Sequence, residues 1–181
     1  YGMNHLDPFE NDEFWGHEIL AEVARLESVL NGEASHFFDL GALRDIIDYF
    51  RYQNDVKKAF ATVEYALALY PYDNDLLFEK ACLLYESTQF HQALIAVDEA
   101  MEQEGNALEY LILKSEILRE LGRVDEAIEF LSQFTDDESF KEKIFYQIGI
   151  LYSQKNEYEK GAEFLESALT IMEEADEIRF D

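Results

Sequence analysis

The chain repeats itself at a fixed period, and that period narrows the available folds more than anything else in the sequence. Leu40, Asn74, Leu108 and Glu142 open four units spaced 34 residues apart, with no insertion. Down the aligned units, Leu43, Leu77, Leu111 and Phe145 form a bulky column. Ile47, Ala81, Ser115 and Gly149 form a mostly small one, and Phe50, Leu84, Leu118 and Tyr152 a third. A turn column of Asn54, Thr88, Gly122 and Asn156 stands two residues before Val56, Phe90, Val124 and Tyr158. Tiny residues follow at Ala59, Ala93, Ala127 and Gly161, then Val63, Val97, Leu131 and Leu165, then Ala66, Ala100, Phe134 and Ala168. Within each unit the apolar positions recur at steps of three and four, which is the period of a helix and not of a strand. Each unit therefore reads as two helices around a short turn, about 41–53 and 57–70 in the first. The tiny columns have a packing reason: two helices approach closely only where one of them presents no side-chain bulk.

Composition agrees. The 181 residues are 48% hydrophobic, which supplies a core, and contain only two prolines and eight glycines. Few breakers leave little room for a many-turned β fold, whereas alanine, leucine and glutamate favour helix.

The pattern resembles the tetratricopeptide repeat family, whose 34-residue unit runs through a large residue, Leu-Gly, an aromatic, Ala, a large apolar residue, Ala and Pro. The fourth unit carries it as Phe145, Ile148-Gly149, Tyr152, Gly161, Leu165 and Ala168, and the first keeps the closing proline as Pro71. The resemblance covers 40–175 and implies an all-α fold, a right-handed α-solenoid of tandem helix-turn-helix repeats at 40–73, 74–107, 108–141 and 142–175. There are departures. Gly105, Ser139 and Glu173 stand where Pro71 stands, and Phe134 occupies a small column. Thr135-Asp136-Asp137 competes with helix, so the helix from about Asp125 is expected to end early.

Outside the repeats, 1–16 is acidic and aromatic without period and reads as a flexible segment. In 17–39, Ile19, Leu20, Val23, Leu26 and Leu30 share one helical face before the stop signal Asn31-Gly32, so this is expected to be a capping helix and linker. Residues 176–181 fall where the frame opens a fifth unit, which predicts a longer array cut inside a repeat. A last unit without a cap would expose the face around Ala162, Leu165 and Leu169.

Signatures of chemistry are missing from the sequence. His5, His17, His36 and His91 form no metal spacing, and no phosphate loop, dinucleotide fingerprint or nucleophile elbow occurs. The Asp7–Glu13 acids lack the glycine and spacing of a calcium loop. Cys82 is the one cysteine, so no internal disulfide forms. No enzyme activity, cofactor or metal is expected. Forty acidic against 14 basic residues give a net charge of −26, which repels phosphate backbones and anionic lipid, so nucleic acid and membranes are poor partners. No apolar run approaches a membrane span. A single thiol suits a reducing, cytoplasmic setting, although a mature chain freed of a signal peptide would read the same.

The resemblance places a concave groove on the first helix of each unit. By helical projection the groove-facing residues are Arg44, Asp48, Arg51 and Tyr52 in the first unit, and Phe78 and Tyr85 in the second. The third contributes Ile112, Glu116 and Arg119, and the fourth Tyr146 and Ile150. One subgroup of the family grips chaperone C-terminal carboxylates. Here those positions are Arg44, Asp48, Glu79, Glu109 and Leu113, whose acids would repel a carboxylate. The expected function is thus a protein-protein interaction scaffold holding a peptide or helix of a basic or neutral partner. The alternatives are an end-to-end self-assembling structural protein and a regulatory module of a larger enzyme.

Overall fold

The computed structural model describes residues 10–179, with side chains from Gly16 to Glu177, and among these residues every regular element is a helix. The chain divides into two compact units, Tyr1–Leu76 and Leu77–Asp181. The first contains α1 (Glu10–Leu30), α2 (Leu40–Tyr52), α3 (Val56–Leu69) and the start of α4 (Asn74–Glu86). The second contains the rest of α4, then α5 (Phe90–Glu104), α6 (Leu108–Glu120), α7 (Val124–Ser132), α8 (Lys141–Gln154) and α9 (Tyr158–Arg179).

The four hairpins share one turn. Asn54, Thr88, Gly122 and Asn156 all lie in the left-handed region, at φ of 61°, 59°, 74° and 64°. In each, the amide of the next residue donates to the carbonyl five positions back: Asp55 to Phe50, Gln89 to Leu84, Arg123 to Leu118 and Glu157 to Tyr152, at 2.8–3.0 Å. This is the six-to-one bond that closes a helix C-terminus, and it needs the residue before it at positive φ. Asparagine and glycine reach that region at low cost, but β-branched Thr88 does not. Thr88→Gly should therefore stabilise the protein by about 1 kcal/mol, read as a rise of roughly 2–4 °C in melting temperature. A fall would mean that the threonine side chain holds the turn in a way its backbone angles do not show.

In the first unit α1 packs on α2 and α2 on α3. Ile19, Val23 and Leu26 of α1 are buried with Leu43, Ile47, Phe50, Ala59, Val63 and Ala66 of the predicted columns. Leu20 and Leu30, placed on the same stripe, lie at its margin and are only half-buried and exposed. Three core residues escape the column reading, Leu76 at the start of α4 among them. Ile46 is fully buried beside Ile47, and Phe38, in the linker, is buried edge-on to His36 and Tyr65 while its carbonyl accepts from the Tyr70 hydroxyl. Gly16, at φ 67° and ψ 167°, breaks α1. Of the segment expected to be flexible, 10–15 is helical and 1–9 lies outside the described residues.

In the second unit Leu111, Leu118, Ala127, Ile128, Leu131, Ile144, Ile148 and Leu151 form one buried cluster. The helix α7 stops at Ser132, where the polar run begins. Thr135 Oγ1 donates to the Ser132 carbonyl, and the Asp137 carboxylate accepts from the Ser139 amide, so these side chains hold a non-helical turn. Phe134 is only half-buried and packs edge-on against Phe130, 5.4 Å between ring centres. A salt link from Lys155 to Asp125 ties the last hairpin turn to the first turn of α7.

The last hairpin, α8 with α9, packs through glycine. A Cβ at Gly149 would stand 2.7 Å from Leu165 Cγ and 3.0 Å from the Gly161 carbonyl, and one at Gly161 would stand 2.5 Å from Ser153 Oγ. The helix α9 runs through Arg179, so 176–179 continue it. The first three units break where Pro71, Gly105 and Thr135-Asp136-Asp137 stand, but Met172-Glu173-Glu174-Ala175 contains no breaker.

Candidate functional site

The second unit carries one large cleft, about 900 Å³, lined by successive faces of α6, α8 and α9 and by Phe78 of α4. From α6 come Leu108, Glu109, Ile112, Leu113 and Glu116, which are steps of one, three and four along a single helix face. From α8 come Glu142, Lys143, Tyr146 and Gln147, and from α9 Leu165, Ala168, Leu169 and Met172. The Phe78 ring packs on Tyr110, 4.8 Å between centres, and Tyr110 in turn donates to Glu104, so this wall of the cleft is held from behind. Tyr146, Leu169 and Met172 keep 53%, 50% and 43% of their surface exposed, the large apolar exposure that marks a contact face.

Of the residues projected into the groove, Phe78, Ile112, Glu116 and Tyr146 meet in this cleft. Others do not line it. Tyr85 and Arg119 form a hydrogen-bonded pair, and burial together with the Glu116 carboxylate pushes the Tyr85 phenol up. Ile150 is half-buried outside the cleft. Arg44, Asp48, Arg51 and Tyr52 lie on α2, in the first unit. Arg44 pairs with Asp73 and Asp75, at 3.0 and 2.9 Å, and so ties α2 to the start of α4. The Asp48 carboxyl is pushed up by burial and by Asp45, with Arg51 pulling against them. Tyr52 is exposed.

The face of α9 is the part that helical projection assigned elsewhere. Leu165 and Leu169 read as an open terminal surface, and Met172 extends the same stripe by three residues. The structure joins that surface to α6 and α8 as one side of the cleft.

The cleft is apolar in its walls and acidic in its charge, with Glu109, Glu116 and Glu142 against Lys143. Partial burial pushes the Glu116 carboxyl above its ordinary value of 4.5; Arg119 pulls it down and Glu120 pushes it up again. A carboxyl raised on folding favours its protonated form, so the ionised form weakens the fold at neutral pH. Glu116→Gln should therefore melt higher than the parent at pH 7. The gain should shrink as pH falls through the folded value and vanish below 4.5, where both states are protonated. A pH-independent gain would assign the effect to something other than charge.

Among the described residues no group of three or more His, Cys, Asp or Glu is placed to hold a metal ion. No described helix is long and apolar enough to cross a membrane.

Comparison with known proteins bears on this geometry. The model of the Psidin N-terminal TPR repeats region matches residues 83–180. No curated protein matches the sequence. Among solved structures, MamA from Desulfovibrio magneticus RS-1 superposes with a TM-score of 0.68 at 16% identity, covering 92% of this chain and 98% of that one. A second MamA crystal structure gives a TM-score of 0.71 at 14% identity over 96% and 99%. YrrB, described as a TPR protein with an unusual peptide-binding site, gives 0.62 at 24% identity over 93% and 88%. At these identities the likeness is one of fold, and the fold is the helical-repeat solenoid of TPR proteins.

Proposed function

The chain belongs to the tetratricopeptide repeat family, in the group typified by the N-terminal repeats of Psidin, and from that premise we propose that it is a non-catalytic protein-interaction scaffold that holds a peptide or helix of a partner in the cleft of its second unit. The observation that carries this reading is the cleft itself: three helix faces converge on a volume of about 900 Å³ with half-exposed Tyr146, Leu169 and Met172 at its surface. Sites that take a ligand are concave and mostly apolar, with a few placed polar groups. A helix-lined groove suits short apolar anchors from a partner segment. The peptide-binding site ascribed to YrrB supports the same use of the fold.

A Tyr146→Ala/Leu169→Ala double variant tests it. Both side chains are half-exposed, so their loss leaves the core intact. With matched melting temperatures, a partner captured by the parent is expected to be lost by the variant. Equal capture by both would put the interface elsewhere and sink the cleft as the site.

One observation favours a second reading, end-to-end self-association. Phe145, Tyr152 and Leu165 are only half-buried, while their counterparts in the first three units are buried. A charge of −26 on each copy opposes it. A monomer in sedimentation at high concentration would dispose of it.

A further inference from the structure

The cleft constrains its occupant as well as its position. Its walls are apolar, and three carboxylates, Glu109, Glu116 and Glu142, share it with one ammonium, Lys143. In the empty cleft water solvates the surplus of negative charge. An occupant that covers the apolar walls removes that water, and a carboxylate stripped of water without a compensating cation is strongly disfavoured. Glu116 already feels this, since it sits partly buried with Arg119 and Glu120 as its charged neighbours. A neutral segment would leave the surplus uncompensated, and an acidic one would add to it.

A second copy of this chain is a poor occupant for the same reason, because it carries 40 acidic residues against 14 basic ones. A cationic segment gains twice. The long-range field of the chain draws it in, and its cation replaces the lost water at the carboxylates.

We infer, on the reading that this cleft is the interaction site, that its occupant is a short cationic segment of a partner protein. A bulky apolar side chain seats between Tyr146 and Leu169, and a neighbouring lysine or arginine meets Glu116 and the flanking Glu109 and Glu142. Lysine and arginine suit the place because their aliphatic stems lie along apolar walls while their charged ends reach the carboxylates.

The test is a random dodecapeptide display library selected on the intact chain, with the winning peptides made synthetically and titrated by fluorescence anisotropy. Lysine or arginine beside leucine, isoleucine or phenylalanine should be enriched. Tyr146→Ala should weaken the best peptide about tenfold or more, as loss of a central aromatic anchor does. Glu109→Gln/Glu116→Gln/Glu142→Gln should weaken it by roughly tenfold and flatten its salt dependence. Ile95→Ala, an exposed position outside the cleft lining, should change nothing. Circular dichroism of each variant separates lost binding from lost fold. Winners without cationic enrichment that still depend on Tyr146 would overturn the charge inference while leaving the cleft as the site. Winners indifferent to both Tyr146→Ala and the triple substitution would overturn the inference and the cleft reading together. A dimer seen by sedimentation and abolished by Leu169→Glu would show that a second copy fills the cleft, and would overturn the cationic occupant.

Discussion

Gly149→Leu is expected to destabilise the protein by about 3 kcal/mol, at the upper end of what an overpacked contact costs, and to lower its melting temperature by roughly 10 °C. Even a methyl group at Gly149 would stand 2.7 Å from Leu165 Cγ, 2.9 Å from its Cδ2 and 3.0 Å from the Gly161 carbonyl. The leucine side chain can turn away, but the carbonyl belongs to the α9 backbone and moves only with the helix. The two helices would have to separate. The substitution removes a mid-helix glycine, which alone would stabilise by about 1 kcal/mol, so a net loss isolates the contact. A cycle with Leu165→Ala sharpens the test. Removing the leucine relieves the first two contacts but not the third, so the double variant should recover part of the loss. Strict additivity would show that the two side chains do not collide. Because α9 is also one side of the cleft, the Gly149 variant should lose peptide affinity along with stability.

Asp73→Ala is the second large expected loss, about 2 kcal/mol, in the first unit. One carboxylate oxygen accepts from the Leu76 amide at 2.9 Å, capping α4, and the same carboxylate takes the Arg44 guanidinium at 3.0 Å. A cap of this kind is worth about 1 kcal/mol. The ion pair adds less than about 1 kcal/mol, since the Arg44 side chain is 43% exposed and water screens it. Leu76 is buried, so its amide left without an acceptor puts the cap loss toward the upper end of its range. Asp73→Asn keeps an oxygen for the cap and removes the charge, so it should lose about half as much. Thermal denaturation of the two variants decides it. An asparagine variant as unstable as the alanine one would make Arg44, and not the cap, the main partner.

The repeats were legible because they rest on periodicity, which a sequence carries directly. The residues at Asn54, Thr88, Gly122 and Asn156 gave the turn, and all four adopt the same left-handed backbone. The early end of α7 was legible from Thr135-Asp136-Asp137, whose side chains compete for backbone partners locally. Contacts set by tertiary packing were not. Phe38 sits in a non-helical linker with no period to reveal its burial, and Ile46 lies beside the column that Ile47 occupies. The length of α9 was not legible either, because the frame marks a unit boundary where the residues supply no breaker. Four of the projected groove residues do meet, since a helix face is fixed by spacing. That Leu165, Leu169 and Met172 join them depends on how α9 crosses α8, which the two glycines set and no single helix shows. The Arg44 ion pair was not legible, because an exposed cation on a helix face looks the same in sequence whether it waits for a ligand or holds Asp73.

The common turn has a consequence for how this protein could be watched breathing. The amides of Asp55, Gln89, Arg123 and Glu157 make the same bond, with the same loop size, to carbonyls in four successive hairpins, at 2.9, 2.9, 2.8 and 3.0 Å. Once intrinsic sequence effects are corrected, differences in their hydrogen-exchange rates report how often each hairpin opens, and not how each bond is built. The chain thereby carries four matched internal clocks, one per repeat.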